Sequence, residues 1–320
     1  MTTPSQPAPD LATRAVAFFR ELQDQIATGL EGLDGGKFRQ DVWDRPGGGG
    51  GRTRVLADSL LFEKAGVNFS DVFGQVQPQL AQSLPGDGST FHATGVSLVL
   101  HPRSPRVPTV HANVRFIQRG NAAWFGGGSD LTPYYVVPED ATEFHRALKG
   151  ICDRHHPSLF PRFKRWCDRY FFIPHRNEPR GVGGIFFDYL GAGAETAAGE
   201  PSPPQGTEWE QDLERVFAFV RELGRGMMEA YAAIVSRRRG QPWGDRERDW
   251  QLVRRGRYAE FNLIYDRGTL FGLRTDGRAE SILMSLPPEV RWRYMFAAVP
   301  GSPEASSLEE ICAQRDWASG

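Results

Sequence analysis

Between Gly95 and Ile117 the chain alternates apolar and polar positions in two runs, separated by a loop that holds Pro102, Pro105 and Pro108. Proline fixes φ and has no N–H, so this loop is neither helix nor central strand. The flanking runs predict two strands joined as a hairpin. Alternate strand residues share a face. Ser97, Val99 and His101 therefore fall on one side of the first run, with Val96, Leu98 and Leu100 on the other. In the second run His111, Asn113 and Arg115 oppose Val110, Ala112, Val114 and Phe116. Pairing the apolar faces gathers histidines, a serine, an asparagine and an arginine on one surface. A solvated sheet face would more often carry Lys, Glu and Thr, so both a solvated and a functional reading stay open here.

Apolar residues at three- and four-residue spacing predict helices elsewhere. One starts at an Asp10 cap and runs through Leu11, Ala15, Phe18, Phe19, Leu22 and Ile26. Others are expected over Ser70–Leu84 (interrupted at Pro78), Glu139–His156, Phe160–Tyr170, Trp209–Arg238, Asp245–Arg255 and Glu304–Ala313. Strands are expected over Val55–Phe62, Arg257–Asp266, Thr269–Arg274 and Glu280–Leu286, with turns at Glu63–Asn68, Arg267-Gly268 and Asp276-Gly277-Arg278. The run Gly47–Gly51 reads as a flexible loop or as one whose amides wrap an anion. In AWFGGGSDLTPYY, Ala123–Tyr135, the glycine triplet marks either a tight bend or a place of close backbone approach. Residues 191–207 read as a low-complexity surface loop and 1–9 as a disordered tail. Strands grouped apart from long helices, in consecutive hairpins, predict an α+β fold with an antiparallel sheet.

Composition narrows the classes. With 320 residues, 40% hydrophobic and 24% charged, the chain is globular, and a net charge of −1 argues against nucleic-acid binding through a basic surface. Cys152, Cys167 and Cys312 are scattered and form no CxxC pair, which fits a reducing compartment rather than a disulfide framework or zinc knuckle. No run is long enough for a membrane span and the N-terminus has no secretory pattern, so a cytoplasmic protein is expected. GGGSDL matches neither a dinucleotide nor a P-loop fingerprint.

Chemistry concentrates in the hairpin and in FFIPHRNEPRGVGGIFFDYL, which contains His175, Arg176, Arg180 and Asp188. His101, His111, His145 and His175 could ligate a divalent metal, donate protons or bond an anion. Arg115, Arg176, Arg180 and Arg278 suit a polycarboxylate. No nucleophile elbow, Ser-His-Asp signature or activated cysteine stands out. From these residues alone the chain is an anion-binding enzyme, with or without metal.

Several long stretches carry a resemblance. GGGGRTRVLADSLLFEKAGVNFS, GVSLVLHPRSPRVPTVHANVRF, WFGGGSDLTPYY, KRWCDRYFFIPHRNEPRGVGGIFFD, GRYAEFNLIYDRGTLFGLRTDGR and ESILMSLPPEVRWRYMF together resemble the oxygen-dependent coproporphyrinogen III oxidase family, from about residue 10 to the C-terminus. The resemblance implies one catalytic domain over 10–320, a large flat antiparallel sheet with helices on both faces, and a homodimer formed partly through Tyr258–Arg293. It implies conversion of coproporphyrinogen III to protoporphyrinogen IX, with two propionates becoming vinyls and O2 as electron acceptor, and no flavin, nicotinamide or haem. Residue by residue it implies substrate contacts from Ser97, from Asn113, Val114 and Arg115, and from Asp276, Gly277 and Arg278. It makes His111 the proton donor, and His101, His111, His145 and His175 the positions for a divalent cation such as Mn2+. Asp188, as a carboxylate the simplest acceptor, is the candidate for holding pyrrole N–H and for removing a proton. Tyr189 stands where family members commonly carry a second acid, and Asp276 where bacterial members often carry glycine. A non-catalytic tetrapyrrole-binding protein and a histidine-metal enzyme acting on a smaller acid are the competing functions.

Overall fold

The computed structural model describes residues 9–76, 81, 84–192, 208–274 and 277–319. Helix α1, Leu11–Asp34, starts where the Asp10 carboxylate accepts from the Thr13 amide at 2.7 Å. It stops at Gly35, whose φ of 90° places it in the left-handed conformation that ends helices. Six strands follow: β1 Arg39–Asp44, β2 Gly49–Ala57, β3 Phe62–Gln75, β4 Thr90–Pro102, β5 Thr109–Arg119 and β6 Ala122–Thr132. Next come α2, Pro138–His155, α3, Leu159–Tyr170, a short pair β7, Phe172–Ile173, and β8, Glu178–Pro179, and strand β9, Gly183–Ala192. The chain continues through α4 Glu208–Gln211, α5 Leu213–Arg238, α6 Asp245–Ile264, α7 Arg267–Arg274, α8 Ala279–Leu283 and α9 Pro303–Cys312.

Among the described residues the main sheet has seven strands in the order β1-β2-β3-β4-β5-β6-β9, every neighbouring pair antiparallel. The expected hairpin is β4 and β5, and its face assignment holds. Val96, Leu98, Leu100, Val110, Ala112, Val114 and Phe116 are buried in the main core beneath α1, α2 and α5. Each of these side chains except Ala112 contributes about 1.5–3 kcal/mol on leaving water. On the opposite face α6 covers one end. The Tyr258 ring meets His101 edge-on at 5.2 Å, and Arg255 donates to the Pro102 carbonyl at 2.9 Å. Gly66 on β3 leaves room for Met284, whose sulfur occupies the space a β-carbon would need. The fold is α+β with helices on both faces, as expected.

Several strand, turn and helix assignments change. Arg257–Asp266 is not a strand but the end of α6, and Thr269–Arg274 and Glu280–Leu286 lie in or beside α7 and α8. Buried residues occur all round the second half of α6, from Trp250 to Asn262, so its sequence lacks the one-sided stripe that marks a helix. Glu63–Asn68 is not a turn; it opens β3, and Ser70–Gln75 extends that strand where a helix was expected. The turn sits earlier, at Asp58 with φ of 52°, so the expected strand Val55–Phe62 is split between β2 and β3. Gly49–Gly51 is strand, not a free loop. The remainder of the expected 70–84 helix lies largely outside the described residues, as do the 1–8 tail, the 193–207 loop and Asp276.

Candidate active site

The open face is organised in rows that run across the sheet. One row is Asp41, Thr53, Asn68, Ser97, Asn113 and Gly128, each paired with the next on successive strands. The adjacent row is Trp43, Gly51, Ser70, Gly95, Arg115 and Gly126. The first row is polar. The second is almost bare of side chains between Trp43 and Arg115, which flattens the floor. From Gly51 to Gly126 it crosses four strand spacings, roughly 19 Å at about 4.8 Å each. Trp43 closes one end. Its indole lies against Gly51, and its N–H donates to Thr53 Oγ1 at 3.0 Å. The Thr53 hydroxyl in turn meets Asn68 Oδ1 at 2.8 Å and Ser281 Oγ at 2.7 Å, which ties α8 to the sheet.

At the other end a β-bulge aims the acid. Phe125 pairs with Leu190 and Gly127 with Phe187, so Asp188 and Tyr189 together face the single residue Gly126. Tyr189 takes the extra turn with φ of 56°, a conformation that costs a non-glycine residue energy and needs support. The support is aromatic: Tyr189 packs against Trp124 and against the cluster of Trp166, Phe171 and Phe186. Its own amide donates to Asp188 Oδ1 at 3.0 Å. Arg115 Nη2 donates to Asp188 Oδ2 at 2.6 Å, and Arg267 Nη2 stands 3.8 Å from the same oxygen. The Arg267 guanidinium also lies over the Tyr170 ring at 5.0 Å.

Between these ends sits His111. Its Nδ1 is 2.8 Å from Asp130 Oδ1, and its Nε2 is 3.4 Å from Asn113 Nδ2. Asn113 Oδ1 accepts from Arg115 Nη1 at 2.9 Å. Behind Asp130 lies Arg180, whose Nη2 donates to both carboxylate oxygens at 2.8 and 2.7 Å while Nη1 donates to Asn262 at 3.0 Å. Both members of that ion pair are almost fully buried. The guanidinium is enclosed by the rings of Phe171, Tyr258 and Phe261 at 4.0–4.8 Å. Burial alone would raise the Asp130 carboxyl. The Arg180 guanidinium and the bond from His111 outweigh it and hold that group below the usual carboxylate range.

The four histidines do not converge. His101 is buried and Nε2 faces the Ser285 carbonyl at 2.8 Å, so that nitrogen carries the proton and offers no lone pair to a cation. Burial and then the nearby Arg255 charge push its pKa well below the ordinary value. His145 lies in α2, in the layer under the other face of the sheet, with Nδ1 bonded to the Ala141 carbonyl at 2.7 Å. Burial, and after it Lys164, lower its pKa to about 4. His175 is held between the Tyr265 hydroxyl at 2.7 Å and Glu260 at 2.8 Å. Among the described residues no three His, Cys, Asp or Glu side chains group to hold a metal ion. These donors do not fit the divalent site that the resemblance implied.

Of the implied substrate contacts, Ser97, Asn113 and Arg115 lie together on the floor. Val114 points into the core on the opposite face and presents no side chain to it. Gly277 donates its amide to the Gly272 carbonyl at 2.9 Å, and Arg278 reaches β1, where it pairs with Asp41 at 2.6 Å. Arg176 and Arg180 are committed elsewhere, Arg176 through two bonds to Glu260 at 2.7 and 2.8 Å. Asp130, Asn262 and Arg267 were not among the expected site residues. Asp130 faces His111 through the β5–β6 register, which alternation within either strand does not fix. Asn262 and Arg267 were hidden by the reading of their segment as a strand and turn.

These features define an α+β protein with one open sheet face, a glycine-flattened floor and a histidine, arginines and carboxylates joined by hydrogen bonds along it. Residues 14–317 match the family model described as coproporphyrinogen III oxidase, and the chain belongs to that family. It is similar to the oxygen-dependent coproporphyrinogen-III oxidase of Parasynechococcus marenigrum (strain WH8102), 50% identical over 321 residues that cover 97% of this chain and 88% of the relative. A protein of the same name from Synechococcus sp. (strain CC9605) is 50% identical over 325 residues, covering 97% of this chain and 89% of its own length.

Proposed function

We propose that this chain is an oxygen-dependent coproporphyrinogen III oxidase that converts the ring A and B propionates of its substrate to vinyl groups. The observation that carries the reading is the Arg115–Asp188 pair held over Gly126 at the end of a bare, wide floor, in a chain of this family. A floor roughly 19 Å across, at about 4.8 Å per strand, suits a flat macrocycle better than a small single acid. Arg115 and Arg278 supply cations for propionates through charge-assisted bonds. Ser97 and Asn113 add neutral partners, and the resemblance adds Asp276 and Gly277 to the contacts. The Asp188 carboxylate, an acceptor only, receives pyrrole N–H.

Per side chain the reaction balances as –CH2CH2COO⁻ + O2 + H⁺ → –CH=CH2 + CO2 + H2O2. Two electrons and a proton pass from the ring-adjacent methylene to O2, giving the hydroperoxide anion. The carboxylate bond breaks to leave CO2, and its electron pair forms the vinyl double bond. The hydroperoxide anion then needs one proton, which His111 is placed to deliver. The reduced macrocycle is itself the electron source, so no flavin or nicotinamide is called for.

We further take residues 10–320 as one cytoplasmic catalytic domain that works as a homodimer. Trp292, 56% exposed at the end of the implied Tyr258–Arg293 segment, supports a partner surface, and Tyr294 and Met295 just beyond it are 97% and 83% exposed. No described helix is long and apolar enough to cross a membrane. The deciding experiment is an aerobic assay of the full chain with coproporphyrinogen III, before and after exhaustive chelation. Two CO2 released per substrate, with matching O2 uptake, supports the reading; binding without CO2 release overturns it in favour of a tetrapyrrole carrier.

A further inference from the structure

The short hydrogen bonds along the site have directions that agree from one end to the other; Arg180 Nη2 also lies 3.5 Å from His111 Nδ1, but it gives its protons to Asp130 at 2.7 and 2.8 Å. Arg180 can only donate, so Asp130 accepts from it through both oxygens. The arginine keeps that carboxylate ionised, and an ionised carboxylate accepts from every partner. The 2.8 Å contact with His111 Nδ1 therefore requires the proton to sit on Nδ1. At the far end Arg115 donates to Asn113 Oδ1, which turns the Asn113 amide N–H2 toward His111 Nε2 at 3.4 Å. A donor facing Nε2 agrees with a lone pair there. Two arginines, Arg180 buried behind the site and Arg115 on its floor, thus set the tautomer of one imidazole from opposite sides.

We infer that Asp130 and Arg180 are positioning residues which fix the neutral form of His111 as the Nδ1–H tautomer, in which Nε2 meets the bound substrate as a proton acceptor. The inference rests on the reading of His111 as the proton-transfer group of the proposed oxidase, and it changes that role. His111 begins a turnover without the proton it must deliver and takes it from the substrate. An N–H bond of the tetrapyrrole breaks with its electron pair left on the ring, an Nε2–H bond forms, and the imidazolium keeps Nδ1–H on Asp130. The same Nε2–H proton then passes to the hydroperoxide anion to complete H2O2, which restores the starting tautomer, and the pyrrole nitrogen regains its N–H by taking from solvent the one proton that the overall reaction consumes. Arg180 matters because, among the described residues, it is the one side-chain partner of Asp130 other than His111: without it, burial would favour a protonated Asp130 that could donate to Nδ1 and reverse the whole chain.

The test is 15N NMR of histidine-labelled full-length protein, with the His111 ring assigned by difference against His111→Gln, together with steady-state kinetics on coproporphyrinogen III. Wild type is expected to show one tautomer, protonated at Nδ1. Asp130→Asn is expected to lose that single signature, lower kcat at least tenfold and leave KM within threefold. Arg180→Lys retains a cation but not the fork, and should fall between the two in both readouts. A wild-type ring protonated at Nε2, or an even mixture, overturns the inference whatever the kinetics. An active wild type whose Asp130→Asn variant keeps its kcat overturns the positioning role. A wild type with the Nδ1–H ring and no turnover of coproporphyrinogen III refutes instead the proposed function on which the substrate step stands. Should Asp130→Asn fail to fold, Arg180→Lys and the wild-type spectrum still decide the matter.

Discussion

Arg115 on β5 and Asp188 on β9 are bonded at 2.6 Å although a whole strand, β6, lies between them. The residue of β6 directly beneath the bond is Gly126. A β-carbon there would stand 2.5 Å from Asp188 Oδ1 and 2.8 Å from Arg115 Nε. The pair exists because the intervening position has no side chain.

Gly126→Ala should therefore separate the pair while leaving the sheet standing. The atoms in the way are ends of side chains rather than backbone, so they move aside at a cost of about 1 kcal/mol, at the low end for an overpacked site. Activity should fall further than stability does: kcat/KM down at least tenfold, with the urea midpoint shifted only slightly. Paired assay and denaturation of the one variant check this, and unchanged kcat/KM would show that the bridge is structural ornament.

Arg115→Lys keeps the charge and loses the fork. Arg115 bonds Asn113 through one nitrogen and Asp188 through another, and a lysine amine cannot hold both in the same plane. We expect KM for coproporphyrinogen III to rise about tenfold, equivalent to about 1.4 kcal/mol of binding, read from initial rates at fixed O2. Asp188→Asn should lower kcat more than it alters KM, since it keeps the shape and removes the charge.

How far these residues could be seen beforehand follows their distance from the hairpin. The alternation in Ser97–His101 and His111–Arg115 placed the floor residues on the correct face, because parity in a strand needs only local sequence. Asp130 needed the β5–β6 register, which is a pairing between strands and not a pattern within one. The α6–α8 segment misled for a physical reason: a helix buried on most sides loses its polar stripe, and YAEFNLIY then alternates as a strand would. The four histidines were grouped by residue type, and no local pattern distinguishes a ring on the floor from one such as His145 packed beneath the sheet.

Chelation should leave turnover unchanged within twofold, because His101 Nε2 already donates to a carbonyl and His145 lies across the sheet from His111. His145→Gln should lower the melting temperature by several degrees, as expected for about 1–2 kcal/mol in a domain this size, while kcat stays near wild type. Atomic emission on the active fraction supplies the complementary reading: stoichiometric Mn2+ lost in step with activity would contradict both expectations.

Glu304 gives a pH signature away from the site. Burial would raise its carboxyl, but Arg246, and with it the Tyr135 hydroxyl at 2.6 Å, lower it to about 2 from an ordinary 4.5. A depressed acid stabilises the fold fully above the unfolded value, and the contribution is lost as pH falls from about 4.5 toward 2. Arg246 is largely solvent-exposed, so screening leaves about 1 kcal/mol of the larger figure the shift alone would suggest. Glu304→Gln should be less stable than wild type near neutrality and converge with it in acid, measured as unfolding free energy against pH. Parallel curves would refute the assignment.

Asp41 tests the proposed role of Arg278 as a second cation for propionate. Arg278 is only one-third exposed and its guanidinium meets Asp41 at 2.6 Å, on the edge strand β1 and in the same row as Thr53, Asn68 and Ser97. A propionate arriving on the floor must compete with that carboxylate for the same donors. Half-exposed pairs of this kind are worth about 0.2–1 kcal/mol, so removing the competitor should improve substrate binding by about two- to fivefold. Asp41→Asn is accordingly expected to lower KM for coproporphyrinogen III by that factor with kcat unchanged, and the advantage should shrink in high salt as the wild-type pair is screened. A rise in KM would mean that Asp41 aims Arg278 at the substrate and does not compete with it.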